Sequence, residues 1–192
     1  MRKLVIFDFD GTLTTKDSLN EFLRFSTSKK DYFFKMTLFL PTYLLYKVGI
    51  IKNDIAKQKL IKSFFASMDE KSFKKLAKDF SKELRTILRN DIYSKFQKHK
   101  SDGDDVVVVS ASFECWLKPW CEAEGVELLS TKLEFKDGIL TGKFLNENCY
   151  GEQKVKRVKE SYELDSYDEI ISYGDSKGDE YIFAMSDYFE RV

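Results

Sequence analysis

The sequence predicts an α/β fold: a doubly wound parallel sheet with an inserted all-helical cap and a β-hairpin. Three short apolar runs have the length of strands buried on both faces, and each ends in polar residues. About ninety residues of helical character separate the first run from the second, whereas helix and strand signals alternate afterwards. The three runs are Leu4–Phe7, Val106–Ser110 and Asp168–Tyr173.

The long helical section contains start signals for several helices. Asp17 or Ser18 can cap a first helix, and Asn53 can cap a later one. Ser67 and Glu70 have the spacing of a capping box at the start of another. Apolar residues follow each of these positions at helical spacing, which predicts helices that bury one face.

Further elements follow the second run in the order expected for a layered α/β domain. A hairpin is predicted where Lys136-Asp-Gly138 interrupts a stretch of alternating residues. The other predicted elements are helices over Phe113–Glu124, Lys154–Tyr162 and Asp179–Met185, and strands over Val126–Leu129 and Phe189–Val192. We assign residues 1–15 and 99–192 to an α/β core and residues 16–98 to the helical cap.

Composition argues against several classes of function. The chain has 192 residues, 43% of them apolar and 33% charged, as in ordinary soluble domains. The 32 basic residues balance 32 acidic ones, so no overall field attracts nucleic acid, and we predict no nucleic-acid partner. Three cysteines without a C-x-x-C pair suit the reducing cytoplasm better than a zinc site or a disulfide framework. His99, the single histidine, lies between two lysines, which predicts a solvated surface position.

Residues 32–51 form the most apolar stretch of the chain. Lys35, Pro41 and Lys47 interrupt it, so its uncharged windows fall short of the ~20 residues that a membrane-spanning helix needs. Two interpretations stay open: a buried helical hairpin, or an aromatic-rich face that contacts a membrane or an amphiphilic substrate. The predicted location is cytoplasmic, with peripheral contact at the inner membrane face as the alternative.

Two carboxylates stand at the end of the first apolar run. Asp8 and Asp10 are two residues apart, so they project in the same direction from an extended chain. Gly11 follows, where the backbone can turn sharply at low steric cost. Open α/β folds bind ligands at this edge of the sheet, and adjacent like charges there need a cation or a shared proton. The pair therefore predicts a metal site, an acid/base pair, or both.

The order of four motifs resembles the haloacid dehalogenase (HAD) superfamily. They are Asp8-Phe-Asp10-Gly-Thr, Ser110 at a strand end, Lys154, and Gly174-Asp-Ser-Lys-Gly-Asp179. The helical insertion after the first motif is similar to that of the phosphoserine-phosphatase-like branch. This resemblance spans nearly the whole chain. It implies a Rossmann-like core and a Mg²⁺-dependent hydrolase of phosphate monoesters that works through an aspartyl-phosphate.

The chemistry of phosphoryl transfer suggests roles for the two acids of the first motif. Asp8 can attack phosphorus, and Asp10 can protonate the departing oxygen and later deprotonate a water molecule. The resemblance implies that Asp8, the main-chain carbonyl of Asp10 and Asp175 bind Mg²⁺, a cation that prefers oxygen ligands. It also implies that Asp179 orients these ligands from behind.

A second group of residues is predicted to bind the phosphate. The Ser110 hydroxyl and the amides of Gly11 and Ala111 can donate to phosphoryl oxygens. Lys154 supplies positive charge against the developing transition state, with Lys156 and Lys159 as alternatives that match the motif less well. Ser112 has two open interpretations, a further phosphate ligand or a helix N-cap.

The sequence leaves the small phosphorylated substrate open. Ser110-Ala-Ser-Phe113 departs from the Ser-Gly-Gly-Phe of phosphoserine phosphatases, and only Asp17 matches their acidic substrate contact, with helix capping as its alternative. The apolar stretch 32–51 resembles the insertion of a relative that acts on a lipid-linked phosphate. Phosphoserine, a lipid-linked phosphate and other small esters therefore all stay open. So does a non-catalytic phosphate-sensing or partner-binding module on the same fold.

Overall fold

A five-stranded parallel sheet forms the centre of the protein in the computed structural model, which describes residues 1–192. Its strands are β1 (Lys3–Phe7), β2 (Asp105–Phe113), β3 (Glu127–Thr131), β6 (Glu169–Gly174) and β7 (Tyr188–Arg191), and a separate hairpin contains β4 (Leu133–Lys136) and β5 (Ile139–Phe144). The strand order is β3-β2-β1-β6-β7, and every neighbouring pair in this sheet is parallel. The predicted α/β class, the parallel sheet and the hairpin are confirmed.

Apolar side chains cover both faces of the sheet, which explains why the strands read as unbroken apolar runs. Val5 and Phe7 pack into the large core cluster on one face, whereas Leu4 and Ile6 pack into a smaller cluster on the other. This alternation follows from the two-residue period of a strand. The eight helices are α1 (Ser18–Ser26), α2 (Lys29–Lys47), α3 (Asn53–Phe65), α4 (Glu70–Glu83), α5 (Asn90–Asp102), α6 (Glu114–Glu124), α7 (Glu152–Ser161) and α8 (Glu180–Met185).

Helices α1 to α5 lie between β1 and β2, and an aromatic cluster joins α1, α3 and α4 to α6. Phe22 lies at the centre of this cluster, with its ring 4.5 Å from that of Trp116 and 5.3 Å from those of Phe65 and Phe80. Phe22 and Trp116 have no exposed surface. The cluster therefore fixes the cap helices against the core through apolar burial.

The chain passes between core and cap along two paired segments. The Thr15 amide donates to the Ile87 carbonyl at 2.8 Å, and the Arg89 amide donates to the Leu13 carbonyl at 2.8 Å. Beyond the second segment, α5 packs against β2. The predicted cap boundaries at residues 16 and 98 stay a prediction.

The hairpin β4–β5 reaches from the core to the cap. Its turn contains Asp137 and Gly138, as the sequence predicts. The Glu70 amide donates to the Gly138 carbonyl at 2.8 Å, and the Leu140 amide donates to the Met68 carbonyl at 3.0 Å. The hairpin thus supports the start of α4, a contact that the sequence does not predict.

Helix caps agree with the sequence at one position and differ at two. The predicted cap Asn53 is instead the first residue of α3, whose N-cap position belongs to Lys52. The Asp17 carboxylate accepts from the Asn20 amide at 2.7 Å and caps α1. The predicted capping box at Ser67 is wrong, because Asp69 caps α4 by accepting from the Ser72 amide at 2.9 Å. Ser67 instead adopts a left-handed backbone with φ of 68° in the preceding turn.

The apolar stretch 32–51 is not a buried hairpin, and this interpretation is wrong. Most of it belongs to the single helix α2, which continues through Pro41. Tyr32 and Phe39 are buried, but Phe33 and Leu38 on the opposite side are exposed. No helix of the protein combines the length and apolar character that crossing a membrane requires.

His99 lies in a hydrogen-bonded cluster, so the prediction of a solvated surface position is wrong. Its Nδ1 lies 2.7 Å from an Asp104 carboxylate oxygen, and its Nε2 lies 3.0 Å from the Tyr173 hydroxyl. The side chain is only 16% exposed. The parallel sheet brings Tyr173, at the end of β6, beside α5, and the sequence shows no sign of this neighbour.

We expect Phe22→Ala to lower the free energy of unfolding by about 3–5 kcal/mol, because it leaves a cavity among packed aromatic rings. The matched control Phe33→Ala removes a side chain that is 67% exposed, so its effect should stay within about 0.5 kcal/mol. Urea unfolding followed by circular dichroism measures both. Equal effects of the two substitutions would contradict the packing described for the cap.

Candidate active site

The site lies at the carboxyl edge of the sheet, where β1, β2 and β6 end side by side. Asp8 follows β1 directly, and its amide donates to the carbonyl of Tyr173 in β6 at 2.9 Å. Asp175 follows β6, and Ser110 lies in the last part of β2. Residues that are far apart in the sequence therefore meet at one edge, as expected for a parallel sheet.

The loop after β1 turns tightly around Gly11. The Thr14 amide donates back to the Phe9 carbonyl at 3.0 Å, and Gly11 has a left-handed backbone with φ of 82°. A Cβ atom at Gly11 would lie 2.3 Å from Oδ2 of Asp175. Only glycine allows this turn and the close approach of the Asp175 carboxylate together.

Lys154 lies buried between two carboxylates at the start of α7. Its Nζ is 2.6 Å from Oδ1 of Asp8 and 2.6 Å from Oδ1 of Asp179. The side chain is 3% exposed, so these two ion pairs replace nearly all of its contact with water. The predicted lysine is thus in direct contact with the predicted nucleophile.

Asp179 holds the loop that carries Asp175. Its Oδ2 accepts from the amide and hydroxyl of Ser176, at 3.0 and 2.9 Å, and from the Asp175 amide at 3.3 Å. Its other oxygen accepts from Lys154. Both oxygens of Asp179 are therefore occupied by protein donors, which suits a residue that orients its neighbours.

Three carboxylates converge closely enough to serve as ligands of one cation. Oxygen atoms of Asp8, Asp175 and Asp179 lie within 4.8 Å of one another. The Asp175 carboxylate accepts no hydrogen bond from another residue, whereas both oxygens of Asp179 do. Such hard oxygen donors fit Mg²⁺, with Asp8 and Asp175 as the residues that would hold it.

The Asp10 carboxylate is held by donors from the cap and from β2. The Ser18 amide, in the first turn of α1, donates to Oδ1 at 2.7 Å, and the Ser112 hydroxyl donates to Oδ2. The Ser18 and Ser112 hydroxyls lie 3.0 Å apart, and Trp116 Nε1 donates to the Ser18 hydroxyl at 3.2 Å. Asp10 therefore sits in a fixed orientation at the junction of cap and core.

Ser112 has a role that neither sequence interpretation contains. The N-cap position of α6 belongs to Phe113, so Ser112 is not the cap. The register of β2 with β3 shifts between Ser110 and Phe113. Such an irregularity re-aims a side chain, and here the Ser112 hydroxyl reaches Asp10.

Burial and neighbouring charges change the acidity of the site. Burial raises the pKa of Asp8 from its ordinary value of 3.8 to about 7, although Lys154 opposes the shift. Burial, with repulsion from Asp17, raises the pKa of Asp10 to about 6 against the hydrogen bond from Ser112. A carboxyl with a pKa near 6 can both donate and accept a proton at neutral pH.

The pKa of Asp179 changes in the opposite direction. Burial alone would raise it, but the ammonium of Lys154 and the donors of Ser176 outweigh burial and lower it below its ordinary value. Asp179 therefore stays ionised beside Lys154, whose own pKa is raised by the two carboxylates despite burial.

The predicted phosphate-binding residues lie at the same edge. The buried Ser110 hydroxyl accepts from the Ser112 amide at 3.0 Å. The carbonyl of Ala111 accepts from Thr131 at 3.1 Å, and that of Gly11 accepts from Arg89 at 3.0 Å. These bonds fix the peptide groups around the site.

Three residues near the site are absent from the sequence prediction. Lys57 of the cap helix α3 donates to the Ala111 carbonyl at 3.3 Å, Arg89 donates to Gly11, and Ser18 donates to Asp10. All three come from the insertion or its connections, far from the other motifs in the sequence. No local pattern marks Lys57 or Arg89, and the sequence marks Ser18 only as a candidate helix cap. The predicted substrate contact, Asp17, is exposed, and its observed partner is the Asn20 amide.

A large cavity lies elsewhere on the protein. It has a volume of about 740 Å³ and is lined by Arg2, Asp105, Glu127 and Tyr162, among others. Several of its charged groups are paired, as in the 2.9 Å contact of Arg2 with Asp105 and the 2.6 Å bond from Tyr162 to Glu127. The converging carboxylates and buried lysine at the carboxyl edge are better suited to chemistry.

Comparisons with known proteins give consistent results. The sequence model of the haloacid dehalogenase-like hydrolases matches residues 5–181. Protein CicA of Caulobacter vibrioides is 30% identical over 190 residues, which cover 96% of this chain and 83% of that protein. A histidinol-phosphatase of Neisseria meningitidis serogroup C is 25% identical over 207 residues, which cover 93% of this chain and 85% of that protein.

A solved structure shows the same fold. A phosphoserine phosphatase, determined as a phospho-aspartyl intermediate analogue, superposes with a TM-score of 0.70 at 19% sequence identity. The match covers 98% of this chain and 85% of that chain. The likeness therefore includes both the sheet and the helical insertion.

We expect Ser112→Ala to raise the pKa of Asp10 above about 6, because the lost hydrogen bond favours the ionised carboxylate. Carbon-13 NMR titration of the Asp10 carboxyl in metal-free protein measures this pKa. Ser94→Ala, which removes a hydroxyl bonded only within α5, is the matched control and should leave it unchanged. An unchanged or lower pKa in Ser112→Ala would contradict the described contact.

Proposed function

We propose a phosphatase reaction for this chain, which belongs to the haloacid dehalogenase-like hydrolases. The observation that carries the proposal is the buried Lys154 ammonium, 2.6 Å from the Asp8 carboxylate, with Asp175 beside it. Positive charge around a carboxylate at a sheet edge suits the transfer of a phosphoryl group. The phosphatase names of a curated relative and of a structural neighbour support the same reaction.

In the first step, an oxygen of the Asp8 carboxylate attacks phosphorus and the bond to the ester oxygen breaks. Protonated Asp10 gives its proton to the departing oxygen, so the products are an alcohol and an aspartyl-phosphate. The pKa of about 6 for Asp10 makes this proton available near neutral pH.

In the second step, water attacks the aspartyl-phosphate and Asp10 accepts a proton from it. The P–O bond to Asp8 breaks, which releases phosphate and restores both carboxyl groups. Lys154 holds positive charge beside the reacting carboxylate through both steps. Ser110 and the amides of Gly11 and Ala111 are our candidates for binding the phosphoryl oxygens.

Mg²⁺ is part of the proposal, because the acidic cluster supplies hard oxygen ligands. The residues that would hold it are Asp8, Asp175 and the main-chain carbonyl of Asp10, with Asp179 as the residue that orients them. When bound, Mg²⁺ neutralises charge on the phosphoryl group and on the surrounding carboxylates.

The identity of the small phosphate ester that the protein hydrolyses is also part of the proposal. Lys57 extends from the cap to the Ala111 carbonyl and is the cap cation that we place near the leaving group. Asp17 is a candidate for contact with an amino group. Phosphoserine, histidinol phosphate and an esterified lipid differ in these groups, so turnover across such a panel decides among them.

The three free cysteines favour the cytoplasm as the cellular location of the protein.

The first test uses hydrolysis of an aryl phosphate in the presence of Mg²⁺. Asp8→Asn should lower kcat by about 10³-fold or more, since it removes the nucleophile, and Asp10→Asn by about 10²–10⁴-fold, since it removes the proton carrier. Asp102→Asn, at the exposed end of α5, is the control.

Activity that survives both site substitutions would overturn the proposed mechanism. Phosphate binding without any turnover by the unaltered protein would instead favour the phosphate-sensing module. Binding is measured with inorganic phosphate by calorimetry, so this outcome is distinguishable from a failure to fold.

A second test examines the contact between Gly11 and Asp175. Gly11→Ala should lower activity or apparent Mg²⁺ affinity by about 10–100-fold, because the new methyl group displaces the Asp175 carboxylate. Gly49→Ala has nearly the same left-handed backbone, with φ of 78°, but nothing within 4 Å of the new atom. Steady-state kinetics at varied Mg²⁺ compare the two. Equal losses would show that backbone strain, and not the displaced carboxylate, is responsible.

A further inference from the structure

The outer side of α2 presents a large apolar surface to solvent. The exposed fractions of Phe33, Phe34 and Leu38 are 67%, 65% and 64%. Further exposed apolar residues lie on the same side of the helix as far as Leu45. We define the α2 outer face by its exposed members Phe33, Phe34, Leu38, Leu40, Pro41, Leu44 and Leu45.

The packing of the cap does not use this face of α2. The opposite side of α2 already buries Tyr32 and Phe39, and the Tyr32 hydroxyl donates to Asn20 at 2.6 Å. Lys35 secures α2 to α3 through its 2.9 Å bond to the Phe64 carbonyl. A contiguous exposed patch of large apolar side chains marks an interaction surface rather than a folding requirement.

The charge around the face indicates what covers it. Residues 29–52 contain five lysines and one aspartate, although the whole chain has no net charge. Lys29 and Lys30 lie at the start of α2, Lys47 lies at its end, and Lys52 lies just before α3. These four are exposed, and none takes part in a salt bridge. Unpaired lysines at both ends of an apolar face complement an anionic surface.

The same charges disfavour a second copy of the chain as the occupant. Lysines stand at both ends of α2, so parallel and antiparallel pairing of two such helices would both bring like charges together. An anionic surface would attract the same groups. A bilayer also accepts exposed phenylalanine and leucine without the shape complementarity that a protein interface needs.

We propose that the α2 outer face docks on the surface of an anionic lipid bilayer, with α2 lying parallel to the membrane plane. Two hydrogen bonds link the docked helix to the core through the start of α3. The Asn53 side chain donates to the Tyr46 hydroxyl of α2 at 3.2 Å, and Asn148 of the core donates to Asp54 at 2.7 Å. The inference depends on the surface of α2 and is independent of the proposed reaction.

The experiment is co-sedimentation of the full chain with vesicles of phosphatidylcholine containing about one-third phosphatidylglycerol, compared with pure phosphatidylcholine. We expect binding to the anionic vesicles that weakens with added salt. Leu38→Glu should lower the partition coefficient by about tenfold or more, because it puts a charge into the apolar contact. The matched control is Leu145→Glu, at a leucine that is 66% exposed outside this face, and it should bind as the unaltered protein does.

Two double variants test whether the lysines beside the α2 outer face are needed for vesicle binding. Exchanging both Lys29 and Lys30 for glutamate should reduce binding to anionic vesicles, whereas the same exchange at the exposed Lys71 and Lys75 of α4 should not. No binding by the unaltered protein, or equal losses in both leucine variants, would overturn the proposal. Concentration-dependent dimerisation that Leu38→Glu abolishes, without vesicle binding, would overturn it in favour of a second copy.

Discussion

The buried ammonium of Lys154 between the carboxylates of Asp8 and Asp179 is the interaction on which the site depends. Lys154 is the cation that forms ion pairs with carboxylates at this edge, which also contains Asp10 and Asp175, so negative charge exceeds positive charge in a region with little water. Removing such groups from water is costly unless their charges are compensated. Burial is the main cause of the raised pKa values of Asp8 and Asp10, and repulsion from neighbouring carboxylates adds to it.

The scaffold explains how so much charge can be held in place. Parallel strands buried on both faces bring their carboxyl ends to one edge, and the turn at Gly11 lets Asp175 approach the first loop. The irregular end of β2 then directs Ser112 to Asp10, while α1 supplies the Ser18 amide. Because α1 belongs to the cap, the orientation of Asp10 depends on cap and core together.

The sequence predicted the parts of this arrangement that local patterns determine. Buried strands and carboxylates at their ends are visible as short runs, so Asp8, Asp10 and Asp175 could be placed at one edge. The contact of Ser112 with Asp10 depends on a register shift between strands, and that of Lys57 with Ala111 depends on how the cap folds over the core. Neither depends on neighbouring residues in the sequence. The exposed face of α2 could not be predicted for a similar reason, because apolar composition does not show which side of a helix packs against the rest of the protein.

Thermal unfolding with and without Mg²⁺, at about pH 5 and about pH 8, tests the central claim most directly. The folded, metal-free protein has pKa values of about 7 and about 6 for Asp8 and Asp10, above the ordinary 3.8. Their contribution to stability is complete below about pH 4 and is lost as pH rises through about 6–7. A cation that favours the ionised carboxylates should therefore raise the melting temperature more at pH 8 than at pH 5. No increase at either pH, or a larger one at pH 5, would contradict this account of the site.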